Sequence, residues 1–131
     1  MNPVFLTLEH VLVIHRDQIE RYGGSPGIRD RGLLLSALAT PQAGAGGEYF
    51  HRDLFEMAAA HLFHLASDHP FVDANKRVGA VAAYIFLALN GYELQPDEDA
   101  FERIVQGVAG GAIGKAAVAE LIRSNTVERA L

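Results

Sequence analysis

His69, Asp73, Asn75, Lys76 and Arg77 fall within one short stretch, His69-Pro70-Phe71-Val72-Asp73-Ala74-Asn75-Lys76-Arg77. A histidine, with an unperturbed pKa of about 6.5, can accept a proton at neutral pH. An aspartate offers the hard oxygen that Mg²⁺ takes, which binds through one or two carboxylates plus substrate phosphates. Asn75 and the amides around it can cradle phosphate oxygens. Lys76 and Arg77 neutralise charge, the arginine through a bidentate fork. The apolar run Val78 to Leu89 follows at once. The stretch therefore opens into a helix N-terminus, whose first N–H groups are unpaired and whose dipole favours anions. Base, metal ligand, anion cradle and cations are the parts of phosphoryl or nucleotidyl transfer. The nucleophile would be a hydroxyl deprotonated by His69, with no covalent enzyme intermediate.

The elements that must position this stretch read as helices. The first starts after Thr7 and runs to Tyr22, with Leu8, Val11, Leu12, His15, Ile19 and Tyr22 on one face. Gly23-Gly24-Ser25-Pro26-Gly27 ends it. Asp30 caps a second helix, Arg31 to Thr40, which Pro41 closes. Gly44, Gly46 and Gly47 make Gln42 to Tyr49 a flap loop, with at most a short hairpin. A third helix, Asp53 to Ser67, turns Leu54, Phe55, Ala58, Leu62 and Leu65 inward. The fourth, Asn75 to Asn90, stops at Gly91 and is apolar nearly all round, as a central buried helix is. Asp97 caps a fifth helix to Ala109, and a sixth runs from Gly114 to Asn125. Period-two alternation is scarce, so the expected fold class is all-α, a compact bundle around a central buried helix with a glycine-rich flap loop.

Composition narrows the remaining choices. A chain of 131 residues fits one domain, 1–131, and buries enough surface for a core without staples. There is no cysteine, which excludes disulfides and thiolate metal sites and fits a reducing compartment. A net charge of −5 is not the basic footprint of a nucleic-acid binder, so no direct nucleic-acid contact is expected. No basic leader precedes an apolar run at the N-terminus, and Val78 to Leu89 is too short to span a bilayer. The expectation is a cytoplasmic protein without membrane contact.

His-Pro-Phe-x-x-Ala-Asn-Lys-Arg resembles the signature of the Fic/Doc superfamily in its death-on-curing toxin form. The wider Fic signature has glycine at the positions of Ala74 and Lys76. The resemblance extends to Ile19 to Asp30 at the exit of the first helix, to Asp53-Leu54-Phe55-Glu56 and to Leu89-Asn90-Gly91-Tyr92. It implies a Fic-type helical bundle and the toxin of a toxin–antitoxin pair, restrained by an antitoxin whose disordered tail folds on binding. It further implies transfer of the γ-phosphoryl of ATP, with Mg²⁺, to a protein hydroxyl, a threonine of elongation factor Tu, which stops translation. Carried onto this chain, His69 is the general base, Asp73 the Mg²⁺ ligand, and Asn75, Lys76 and Arg77 hold phosphates. Phe71 is a buried wedge that fixes the loop. A lysine at position 76 fills space that glycine leaves for a phosphate, so ATP would bind reversed. The alternatives are AMP transfer in the ordinary Fic manner and a catalytically inactive binding scaffold.

Plainer readings stand beside these. Asp73 could cap the fourth helix, although its setting between His69 and Lys76-Arg77 favours the metal role. His61 and His64, with His51 nearby, suggest a metal site, but core-edge packing is the better reading. Gly110 to Ala116 echoes a phosphate-binding loop without its first glycine and its final Ser or Thr, and reads as a turn into a helix. Arg29 and Arg31 read as solvated loop residues. Ser124-Asn125-Thr126-Val127-Glu128 partly matches a self-inhibitory helix but has Arg129 where a small residue belongs.

Overall fold

In the computed structural model, which describes residues 2–129, helices α1 (Leu8–Tyr22), α2 (Arg31–Ala39), α3 (Leu54–Ser67), α4 (Asn75–Leu89), α5 (Glu98–Ala109) and α6 (Lys115–Ser124) make up most of the chain. The starts of four of them are fixed by side-chain caps. Thr7 accepts from the His10 amide while the His10 ring accepts from the Thr7 amide, a reciprocal box. Asp30, Asp53 and Asp97 each accept from the amide three residues on. A 3₁₀ turn, Thr40–Gln42, follows α2, with Pro41 buried in it.

Helix α4 packs on α3, its closest partner, and also on α1, α5 and a short strand. Gly79 is what brings α3 and α4 so near: a Cβ there would stand 3.0 Å from the Leu62 carbonyl oxygen. Phe86, Leu34, Met57, Leu62, Leu65 and Leu87 are fully buried around this seam. The expectation of a helix buried all round needs one correction. Tyr84 and Leu89 are exposed, because α4 is covered on most sides but not on every side.

The strands are small. Gly44–Ala45 (β1) pairs antiparallel with Glu48–Tyr49 (β2), and the left-handed Gly46 and Gly47 make the turn. A second antiparallel pair joins Tyr92–Leu94 (β3) to Thr126–Glu128 (β4). The sequence reading has no strand at either place, and the helix considered for Ser124 to Glu128 is instead the end of α6 followed by β4. Asn125 ends α6, and the unsatisfied edge of β3 is the partner that Val127 and its neighbours find. Of the α1 face read from the sequence, Val11 and His15 are buried and Leu8, Leu12 and Ile19 pack on the core, while Tyr22 is exposed; Ile14 and Gln18 are buried beside them. Among the described residues no helix is long and apolar enough to cross a membrane.

Candidate active site

The stretch 68–74 is a tight loop between the end of α3 and the start of α4, and it departs from ordinary backbone at two points. His69 has φ 51° and Ala74 has φ 67°, both in the left-handed region that non-glycine residues rarely adopt. Hydrogen bonds hold it there. The Asn75 amide closes a ring on Phe71: Oδ1 accepts from the Phe71 N–H at 2.9 Å and Nδ2 donates to its carbonyl at 3.0 Å. The Phe71 ring is buried and stacks flat on His15, centroids 3.9 Å apart. His15 Nε2 donates to the Asp73 carbonyl at 3.1 Å. Burial above all holds the His15 pKa below its usual value, so the ring is neutral at neutral pH.

A second segment, residues 23–30, runs along the loop and clamps it. The Arg29 and Asp30 amides donate to the Pro70 carbonyl, and the Val72 amide donates to the Gly27 carbonyl. Arg29 Nε donates to the His69 carbonyl and Nη2 to the Asp68 carbonyl at 3.0 Å. Arg29 is an exposed loop residue, as read, but its guanidinium is committed to these carbonyls. It gathers the last carbonyls beyond α3, the negative end of that helix. The sequence carries no local signal for this, because the partners lie some forty residues further on.

Around the loop lies a pocket of about 280 Å³ lined by His69, Val72, Asp73, Ala74, Asn75, Lys76 and Arg77. His69 and Asp73 are exposed to it. Asp73 Oδ2 accepts from the Ser25 amide at 3.1 Å and Oδ1 from the Ala74 amide at 2.8 Å. These bonds, the Ser25 one foremost, hold the carboxyl below its usual pKa, so it is an anion at neutral pH. Gly24 makes the approach possible, since a Cβ there would fall 2.8 Å from Asp73 Oδ2. Asp73 does not cap α4. The cap position is Ala74, with no side-chain acceptor for the first-turn amides and no acidic residue in that turn. An uncapped, cationic helix start is an anion-binding arrangement.

The cations have partners of their own. Arg77 Nη1 donates to the Gln18 carbonyl at 3.1 Å and Nη2 to the Gly23 carbonyl at 3.0 Å. A cation is unfavourable at a helix N-terminus, and here Arg77 is compensated by carbonyls at the negative end of α1. Lys76 Nζ donates to Gln106 Oε1 on α5 at 3.0 Å. Lys76 and Arg77 also line a mostly apolar cleft of about 310 Å³ with Ala80, Phe101 and Val105. The Asn75 side chain is buried and committed to shaping the loop; any contact it made to a phosphate would be limited to a remaining amide hydrogen.

Among the described residues no group of three or more His, Cys, Asp or Glu is arranged to hold a metal ion. A cation at this loop would rest on Asp73 alone among the acidic residues of the pocket. That suits Mg²⁺, which keeps waters and substrate phosphates around one carboxylate, and does not suit a closed zinc cage. The histidines of α3 form no such cage either: His61 is fully buried, with Nδ1 donating to the Met57 carbonyl.

A helical bundle with a histidine, a carboxylate and two cations on the loop and first turn at the start of its central helix is a transferase-like constellation on a Fic-type fold. The chain belongs to the Fic/DOC family, whose model matches residues 5–87. It is 36% identical over 115 residues to the protein kinase doc of Escherichia phage P1, covering 88% of this chain and 90% of that protein. It is 45% identical over 78 residues to the toxin Doc of Mycolicibacterium smegmatis, which covers 60% of each chain.

Proposed function

We propose that this chain is the toxin of a toxin–antitoxin pair and a protein kinase that moves the γ-phosphoryl of ATP to a hydroxyl of a target protein. The observation that carries the reading is the single pocket where His69, the ionised Asp73 and the uncapped start of α4 meet. The relatives named protein kinase doc and toxin Doc support it. His69 takes the proton of the attacking hydroxyl, which is worth about 10²–10⁴-fold in rate. Its exposed ring, on a backbone pinned by Arg29, can meet a protein side chain arriving from solvent. Asp73 would hold Mg²⁺, which when bound neutralises phosphate charge. The first-turn amides of α4 and the Lys76 ammonium receive phosphate oxygens, and the buried amide of Asn75 keeps those amides aimed. Arg77 locks α4 to the exit of α1 and adds positive potential. The apolar cleft beyond Lys76 suits a nucleoside. Elongation factor Tu, through a threonine, is the proposed target, and an antitoxin with a disordered tail the proposed partner.

Intact-mass spectrometry of elongation factor Tu after incubation with this protein, ATP and Mg²⁺ tests the reading. A gain of one phosphoryl group, absent with His69→Ala at unchanged melting temperature, is expected. A gain of AMP would keep the site and overturn the direction of transfer. Modification of equal extent by His69→Ala would remove His69 as base.

A further inference from the structure

A second cluster of chemistry-bearing side chains lies on the seam of α3 and α6 and reaches the loop before α4 only through Asp68. Lys115, the first residue of α6, brings Nζ to 3.0 Å from His64 Nε2 and 3.3 Å from His51 Nε2. His64 Nδ1 in turn donates to Asp68 Oδ2 at 3.2 Å, which fixes the tautomer and leaves the Nε2 lone pair facing the lysine. A nucleophile within hydrogen-bond reach of a base, with the base oriented by a carboxylate, is the general form of an activated nucleophile. The cluster opens on a cleft of about 450 Å³ lined by His51, Glu56, Lys115, Ala119 and Arg123 among others. Nothing in the phosphoryl-transfer reading uses any of these groups.

We infer that Lys115 is a modification site, a nucleophilic amine that takes an acyl group from a small acyl phosphate entering this cleft, with His64 as its base and Asp68 orienting that base. In the step, the Nζ lone pair attacks the acyl carbon and an N–C bond forms. The C–O bond of the mixed anhydride breaks and inorganic phosphate leaves with the electron pair. The proton lost from Nζ passes to His64 Nε2 and from there to solvent, and no oxidant or reductant is involved. Two further observations agree. Burial draws the Lys115 ammonium below its usual pKa, which raises the share of free amine. Burial, then the charge of Lys115, also holds His64 below its usual value, so the base is unprotonated at neutral pH. Acylation removes a donor that ties His51, at the foot of the flap, to α6.

The chain provides its own control, because its two lysines are Lys76 and Lys115. Lys76 is exposed, and its Nζ donates to the side-chain amide oxygen of Gln106 and to no histidine. The folded protein is incubated with acetyl phosphate at neutral pH, and acetylation at each lysine is followed by peptide mass spectrometry. Lys115 is expected to react faster than Lys76 by about tenfold or more. That excess should disappear in urea and in a folded His64→Gln variant. Equal or faster reaction at the exposed Lys76 in the folded wild type would overturn the inference without any variant. So would an unchanged Lys115 rate in folded His64→Gln. Neither outcome bears on the kinase reading, which is scored on the target protein.

Discussion

Asn75 is the residue on which the two ways of building a phosphate cradle diverge. If its amide touches phosphate, removing it weakens substrate binding and leaves the fold alone. The structure commits the amide elsewhere, to both backbone groups of the buried Phe71. Asn75→Ala then leaves a buried N–H and a buried carbonyl without partners, and an orphaned buried group costs about 1–3 kcal/mol. The expected result is a fall of about 2 kcal/mol in stability by urea unfolding, together with a fall in transfer activity. Lost activity at full stability would return the amide to the substrate. Arg77 is read in the same way, as a side chain whose fork already serves carbonyls of α1. The loop and its pocket-lining residues were thus legible from residue types, but which of their side chains are committed to holding the loop was not. His15, Gly24 and Arg29 are the unread partners. A histidine on an otherwise apolar face of α1 was a faint signal for the first, and the other two gave none.

At the scale of elements, the seam between α3 and α4 sets where the loop can be. Both helices bury small residues, Ala58, Ala59 and Ala66 on one and Gly79, Ala82 and Ala83 on the other, and Gly79 lies directly against Leu62 and Ala66. The nearest neighbours of a Cβ at Gly79 are backbone atoms of α3, the Leu62 carbonyl oxygen and the Ala66 nitrogen, which cannot rotate away. Gly79→Val should therefore force the helices apart and destabilise the protein by about 2 kcal/mol, more than its β-branching costs in a helix. The check is urea unfolding, with a hydrogen-exchange measurement of α4 amides to locate the damage. An unchanged midpoint would mean that the seam is looser than drawn here. Helix starts were legible because a Thr or Asp cap acts within three residues of itself. The pairing of β3 with β4 was not, since each strand has three residues and its partner lies more than thirty positions away. The inward face of α1 was read incompletely for a related reason. Gln18 is polar yet buried, and its carbonyl serves Arg77, so hydrophobic periodicity alone passes over it.

For the molecule as a whole, acid is the condition to which this fold should respond most. His15, His51, His61 and His64 all have pKa values held below the ordinary histidine value, each chiefly by burial. His61 is the extreme case, brought down to about 4, with Nε2 buried and without a partner. Above the ordinary histidine pKa of about 6.5, neither the folded nor the unfolded chain binds a proton at His61, and the shift has no effect on stability. Below it the unfolded chain takes up the proton and the folded chain does not, so stability falls as pH falls, until the folded pKa of about 4 is reached. Between pH 7 and pH 5 this one residue should account for about 2 kcal/mol of lost stability. His61→Leu removes the titrating group and keeps an apolar side chain of similar size inside the core. Urea unfolding at both pH values should find the variant losing about 2 kcal/mol less than the wild type on acidification. A smaller loss shared among His15, His51 and His64 should remain in the variant. Equal losses in the two proteins would mean that the unfolded chain gains no proton advantage at His61, and would move the acid response to the histidines beside Lys115 and Asp73.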